Sequence, residues 1–174
     1  LYSEATETLK AFAQKRGIPV METQAGKSSL PHVHPLNMGS VGVTGSSASN
    51  LLAEQADVVL AIGSRLQDFT TGSWALFKAE GVKLIGLNTQ PFDAGKHRAM
   101  PLVADAKAGL EAIDARLGGW TSPDSWRPAT AFPRTKTRPF SGKSAGNRLK
   151  KPVSGPVRAW PGAAAAARIW QCCP

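Results

Sequence analysis

The chain has 174 residues, 42% hydrophobic, 19% charged and 7% aromatic, a composition that suits a globular protein of about one domain. Its formal charge of +9 would suit a nucleic-acid or anionic-surface binder, but the excess is local: residues 1–120 hold 11 basic and 11 acidic side chains, and residues 121–174 hold 10 basic side chains and one acid, Asp124. No apolar run approaches the roughly 18–20 residues of a membrane span.

Ser3 to Arg16 reads as a helix, with Ala5, Leu9, Phe12 and Ala13 on one face, Ser3 as N-cap and Gly17 as C-cap. Ile18 to Met21 follows as a short buried strand. Residues 23–46, rich in Gly and Pro, read as loop, and Ser47 to Ala56 as a second helix. Asp57-Val58-Val59-Leu60-Ala61-Ile62-Gly63 is the clearest strand: an unbroken apolar run ending in Gly suits a parallel strand buried on both faces. A polar loop over Ser64 to Gly72 leads to a short helix around Ser73 to Ala79. Val82 to Asn88 and Pro101 to Ala104 are strands, and Asp105 caps a last helix that Gly118-Gly119 ends. The order α-β-α-β-α-β-β-α predicts an α/β fold, an open, mostly parallel sheet with helices on both faces. Such a sheet normally begins with a strand, so the expectation is that the first strand is missing and a neighbouring strand edge is exposed. With no initiator Met and no basic or apolar leader, the N-terminus reads as a segment of a longer chain rather than a signal peptide.

The texture changes at Thr121. Eight of the 13 prolines lie beyond it, and Arg, Ala, Gly and Ser dominate without a period of 2 or 3.6. Residues 121–174 therefore read as a basic, disordered tail with a turn or two of helix at most over Ala163 to Ala167. Such a composition also suits GC-rich codons read out of frame. The two cysteines, Cys172 and Cys173, are adjacent at the end, and a body free of cysteine fits a reducing cytoplasm.

Several short motifs carry chemistry. Ala25-Gly26-Lys27-Ser28 resembles the end of a Walker A loop, but position 21 is Met where that loop needs Gly, so it reads as a loop shaping a cleft. His32 and His34 form an H-x-H pair bracketed by Pro31 and Pro35, better suited to structuring a loop than to holding a metal. Gly39 to Ser47 is a small-residue run leading into a helix N-terminus, where Gly45 and Ser46 are candidates to contact an anionic cofactor group or simply to shape a tight loop. Gly63, Ser64, Arg65 and Asp68 follow a central strand and Asn88 ends the next, the edge at which ligands of open α/β sheets bind. Arg65 and Asp68 contact a ligand there or pair with each other. Spacing supports no Ser-His-Asp, Cys-His or paired-carboxylate set, and no metal site.

The run from Glu22 through Thr23-Gln24-Ala25-Gly26-Lys27-Ser28 to Gly42, with Ala56 to Arg65, closely resembles the central domain of thiamine-diphosphate-dependent enzymes of the acetolactate-synthase-like group. Thr23 to Ser28 and Leu66-Gln67-Asp68-Phe69-Thr70-Thr71-Gly72-Ser73-Trp74 are most similar to the trihydroxycyclohexane-1,2-dione hydrolases, which open a ring in inositol catabolism. The resemblance covers residues 1–120 and stops at the tail. It implies a three-domain parent and homo-oligomer: one flanking domain activates thiamine diphosphate, the other binds its diphosphate through Mg²⁺ with a Gly-Asp-Gly motif, and the central domain, Rossmann-like and six-stranded, holds FAD or another nucleotide in some members. The chain has no Gly-Asp-Gly. The expectation is a central-domain fragment of a C–C-bond hydrolase, inactive by itself. The alternatives are a stand-alone FAD- or NAD-type nucleotide-binding module and an acetolactate-synthase-like enzyme fragment. A third, a nucleic-acid binder acting through the tail, lacks regularly spaced aromatic platforms, so no specific nucleic-acid partner is expected.

Overall fold

The computed structural model describes residues 3–123 and, as backbone, residues 167–171. Six parallel strands form one sheet in the order β2-β1-β6-β3-β4-β5. They are β1 (Val20–Glu22), β2 (Asn37–Ser40), β3 (Val58–Ile62), β4 (Lys83–Asn88), β5 (Met100–Val103) and β6 (Ala167–Gln171). The main helices are α1 (Thr6–Arg16), α2 (Ser47–Glu54) and α5 (Ala106–Arg116); α3 (Asp68–Thr71) and α4 (Pro91–Ala94) are single turns. This is the open parallel α/β arrangement expected from the alternating pattern. None of the described helices is long and apolar enough to cross a membrane.

The sheet is buried on both faces because its strands are apolar at successive positions, not alternate ones. Val20, Leu60, Ile62 and Leu87 point to one side, where they meet Leu9 and Phe12 of α1 and Leu110 of α5. Met21, Val59 and Ala61 point to the other, where they meet Ala53 of α2, Leu66, Leu76 and Phe77. The period of two assigns adjacent residues to opposite cores. Fully burying one Leu or Phe contributes about 1.5–3 kcal/mol, so these two layers dominate the stabilising side of folding. Two glycines let backbones approach: a Cβ on Gly86 of β4 would collide with the Ala94 carbonyl of α4, and one on Gly109 of α5 with the Leu87 side chain.

Arg16, the last residue of α1, is buried and joins α1 to the end of α5. Its Nε donates to Asp114 Oδ1, its Nη2 to the Asp114 carbonyl, and its Nη1 to the carbonyls of Gly118 and Trp120, each at 2.7 Å. The Arg16 carbonyl accepts from Ser122 N–H at 2.7 Å, which fixes the chain beyond α5. Lys15 adds a 2.6 Å bond to Asp114 Oδ2. That bond, followed by those from Arg16, holds the Asp114 carboxyl below the usual carboxylate range.

Several local expectations change. Ser3 does not cap α1: the helix begins at Thr6 with Ala5 before it and no side-chain cap, and the Ser3 hydroxyl bonds instead to Asp105. Asp105 caps α5 as expected, accepting from the N–H groups of Lys107 and Ala108. The turn of helix lies at Asp68–Thr71 rather than around Ser73 to Ala79, because Gly72, Ser73 and Trp74 all take positive φ and stop it. Asn37–Ser40, read as loop, is a strand: the β1 backbone supplies the partner that its polar sequence does not announce. The open strand edge expected beside a missing strand is not seen at β1 or β3, which both pair with β6. The strand Ala167–Gln171 has no helical or alternating signal, and pairing on both sides overrides its composition. Residues 124–166 and 172–174, on which the reading of a disordered or out-of-frame tail otherwise rests, lie outside the described residues, as does any helix over Ala163 to Ala166.

Candidate functional site

All six strands are parallel, so their carboxyl ends share one edge of the sheet. From β1 the chain moves outward to β2, and from β3 it moves the other way to β4 and β5. The winding reverses around β6, and in open α/β sheets ligands bind outside the carboxyl ends at such a reversal. The loops after β1, β2, β3 and β4 meet there.

The loop after β1 is braced by its own side chains. Glu22, buried at the end of the strand, accepts from Leu30 N–H through Oε1 at 3.0 Å. Gly26 N–H donates to Thr23 Oγ1 at 3.0 Å, and Ser29 Oγ donates to the Gly26 carbonyl. The Walker-like stretch thus spends a backbone donor internally, as a cleft-shaping loop would. His34 is buried: Leu36 N–H donates to its Nδ1 at 3.2 Å, and its Nε2 lies 3.0 Å from the Gln14 side-chain amide. Nδ1 therefore braces the loop internally, and Nε2 holds it against α1.

The loop after β2 is tight. Gly45 N–H donates to the Gly42 carbonyl and Ser46 N–H to the Ser40 carbonyl, both at 2.9 Å. The Ser46 hydroxyl caps α2 by accepting from Ser49 N–H at 3.1 Å. Asn50, one turn into α2, clasps Gly42 from both sides, accepting from its N–H and donating to its carbonyl at 3.0 Å each. A Cβ at Gly45 would lie 2.6 Å from Val41 Cα and 2.7 Å from Asn50 Oδ1. Small residues are needed here by the loop's own packing, and the N–H groups of Gly45 and Ser46 are already engaged. Val43 N–H donates to the Phe69 carbonyl at 2.9 Å, joining loops that leave the sheet on either side of β1 and β6.

Gly63, Ser64 and Asn88 come together. Gly63 has φ 63°, a conformation that suits glycine, and turns the chain off β3. Its N–H donates to the Leu87 carbonyl at 2.8 Å. Asn88 Nδ2 donates to the Ser64 carbonyl at 3.4 Å and its Oδ1 accepts from Gln90 N–H at 3.0 Å, while Ser64 Oγ accepts from Leu66 N–H at 3.1 Å. Arg65 is exposed beside them, 3.8 Å from Asp93 Oδ2, so its ion partner is on α4 and not Asp68. Asp93 also pairs with Lys96 at 2.9 Å, and the Lys96 ammonium lies 5.0 Å from the Phe92 ring centroid. Asp68 is exposed at the start of α3, beside Phe69, whose carbonyl accepts from Val43 N–H of the loop after β2.

The edge thus presents an exposed guanidinium and a half-buried ammonium around a fixed carboxylate, above a rigid floor of backbone turns. No three His, Cys, Asp or Glu side chains among the described residues form a group fit for a metal ion. Sequence reasoning missed Glu22, Asn50 and Asp93. Asn50 had a signal, an amide four residues into a helix that follows a glycine-rich loop; Glu22 and Asp93 acquire their partners only when distant loops meet.

Residues 1–113 match the family described as thiamine pyrophosphate enzyme, central domain. Over 121 residues the chain is 48% identical to a protein of Geobacillus thermodenitrificans named 3D-(3,5/4)-trihydroxycyclohexane-1,2-dione hydrolase, covering 70% of this chain and 19% of that protein. A Clostridium perfringens protein of the same name is 47% identical over 116 residues, covering 67% of this chain and 18% of its own length. A Bacillus cereus protein, named as a second such hydrolase, is 48% identical over 112 residues, covering 64% and 17%. The chain spans about a fifth of the length of these relatives.

Proposed function

This chain belongs to the central-domain family of thiamine pyrophosphate enzymes, and on that premise we propose that residues 1–120 are the central domain of a trihydroxycyclohexane-1,2-dione hydrolase. The observation that carries this reading is the 48% identity to a protein of that name, which spans 70% of the chain. The two stretches that resemble this subgroup, Thr23 to Ser28 and Leu66 to Trp74, both follow strands of the same sheet and lie past their carboxyl ends. The parent reaction is hydrolysis of a ring C–C bond in a cyclic dione.

Thiamine diphosphate and Mg²⁺ do not fit this chain's own residues. The described residues assemble no acidic or His cluster for a cation, and the sequence holds no Gly-Asp-Gly. In this reading both groups are held by flanking domains, in a homo-oligomeric cytoplasmic parent, and the chain is inactive alone. What its residues contribute is a rigid wall: Gly63, Ser64 and Asn88 fix the turn that presents Arg65 at the sheet edge, and Gly45, Ser46 and Asp68 shape the adjoining loops. A stand-alone FAD or NAD module is less well supported, because the amides of Gly45 and Ser46 that would receive a phosphate are engaged within their loop.

The test is a graft. Residues 1–120 replace the matched segment of the Geobacillus protein, and hydrolysis of the dione is measured. Activity within about tenfold of the unaltered relative is expected. A soluble chimera that binds coenzyme but does not hydrolyse the dione overturns the reading, as does turnover by this chain alone with coenzyme and Mg²⁺.

A further inference from the structure

Without β6 the sheet is two pieces. β1 pairs with β2, β3 with β4 and β4 with β5, but β1 and β3 do not pair with each other. β6 alone joins them. Ile169, Trp170 and Gln171 lie in register with Val20, Met21 and Glu22, and Ala167 to Gln171 with Val58 to Ile62. With β6 in place Val20, Met21 and Val59 are fully buried, and β6 is the extended partner on which the facing backbone groups of β1 and β3 pair.

The occupant does not read like a strand native to such a place. Central parallel strands are near-continuous runs of Val, Ile and Leu, as Val58–Ile62 is. Residues 167–171 read Ala-Arg-Ile-Trp-Gln, and they place Arg168 at the register of Val59 and Gln171 at that of Ile62. The ladders themselves carry no side-chain information, so the channel selects an extended parallel segment by its backbone, as in other strand-addition complexes. The segment also arrives from far along the chain: β3 ends at Ile62 and β6 begins at Ala167. A well-formed slot held by a weakly suited, distant segment is an exchangeable arrangement.

We propose that the channel between β1 and β3 is a strand-binding site whose occupant is this chain's own segment 167–171, seated reversibly and replaceable by a free peptide of the same sequence. The ligand class is a short extended polypeptide that adds in parallel to both edges.

Amide hydrogen exchange on the full chain tests it. Residues 167–171 should be protected together with Val20–Glu22 and Val58–Ile62. Ile169→Pro, at the centre of the strand, removes a ladder N–H and imposes a ring that the extended pairing does not accommodate, so protection of all three segments should fall at least about tenfold while β4, β5 and α5 keep theirs. A synthetic peptide of residues 165–171 at millimolar concentration should restore it. Unprotected exchange of 167–171 in the unaltered chain overturns the proposal, and so does unchanged protection in Ile169→Pro. A fluorescent form of the peptide, added to the unaltered chain, reads exchange without any variant: rising anisotropy, reversed by unlabelled peptide, is expected, and no rise overturns reversibility. Sedimentation should give a monomer; a dimer whose β1 and β3 protection is lost on dilution overturns the intrachain occupant in favour of a second copy.

Discussion

Replacing Arg16 with Met keeps most of the buried stem and removes every donor. The lost bonds run to Asp114 Oδ1 and to the carbonyls of Asp114, Gly118 and Trp120, each at 2.7 Å. The Arg16 side chain is 2% exposed, but Asp114 is 27% exposed and the Trp120 end of the clasp lies near solvent, so some acceptors regain water. Taking about 1 kcal/mol for each of the four bonds gives a loss of about 3–4 kcal/mol, which lies within the cost of breaking a buried pair by removing one partner. Urea unfolding followed by far-ultraviolet circular dichroism measures it, with Tm falling about 10 °C. Ser122 N–H, bonded to the Arg16 carbonyl, should exchange faster as the segment beyond α5 loosens. Arg16→Lys restores the charge but not the fork and should recover less than half. A loss under about 1 kcal/mol for Arg16→Met, or full recovery with Lys, would refute the claim that the guanidinium joins α1 to the chain after α5.

Because Lys15 and Arg16 depress the Asp114 carboxyl in the folded state, its contribution is present above the unfolded value near pH ~3.9 and is lost as pH falls through the folded value. Asp114→Asn should therefore flatten the acid limb of a stability–pH profile; an unchanged limb counts against the pairing. Gly86→Ala drives a Cβ into the Ala94 carbonyl and should cost about 2–3 kcal/mol in urea unfolding, where a neutral result means that α4 can move away freely. Asn50→Ala removes both bonds to Gly42 and should cost about 1–2 kcal/mol, with faster exchange at Gly42 N–H; no change in exchange means the loop is held by Val43 and Phe69 alone.

The parts of the fold that could be read from sequence are those that carry their own signal. Val58–Ile62 is apolar throughout and Asp105 precedes a helical stripe, so the central strand and the last helix are visible locally. Asn37–Ser40 and Ala167–Gln171 are strands only because a neighbour offers its backbone, and no local pattern records that. The site divides in the same way. Gly63, Ser64, Arg65 and Asn88 follow from the rule that ligands meet the carboxyl ends of strands, and the structure joins Ser64 to Asn88 by a hydrogen bond and Gly63 to the neighbouring Leu87 carbonyl. The choice between a ligand-facing and a structural Gly45 needed the bonds of its N–H group. The partner of Arg65 needed the position of Asp93, which arrives on α4 from another crossover.

The central position of β6 also orders events during synthesis. At about 5–20 residues per second, the ribosome needs roughly 3–13 s to pass from the end of β5 to the start of β6. For that interval the nascent chain carries two half-sheets with facing, unpaired edges of buried composition, the state in which strands are most prone to pair with the wrong neighbour. Slow translation of the stretch before Ala167 would lengthen that exposure, and a chaperone that shields sheet edges would act on this chain before its last residues emerge.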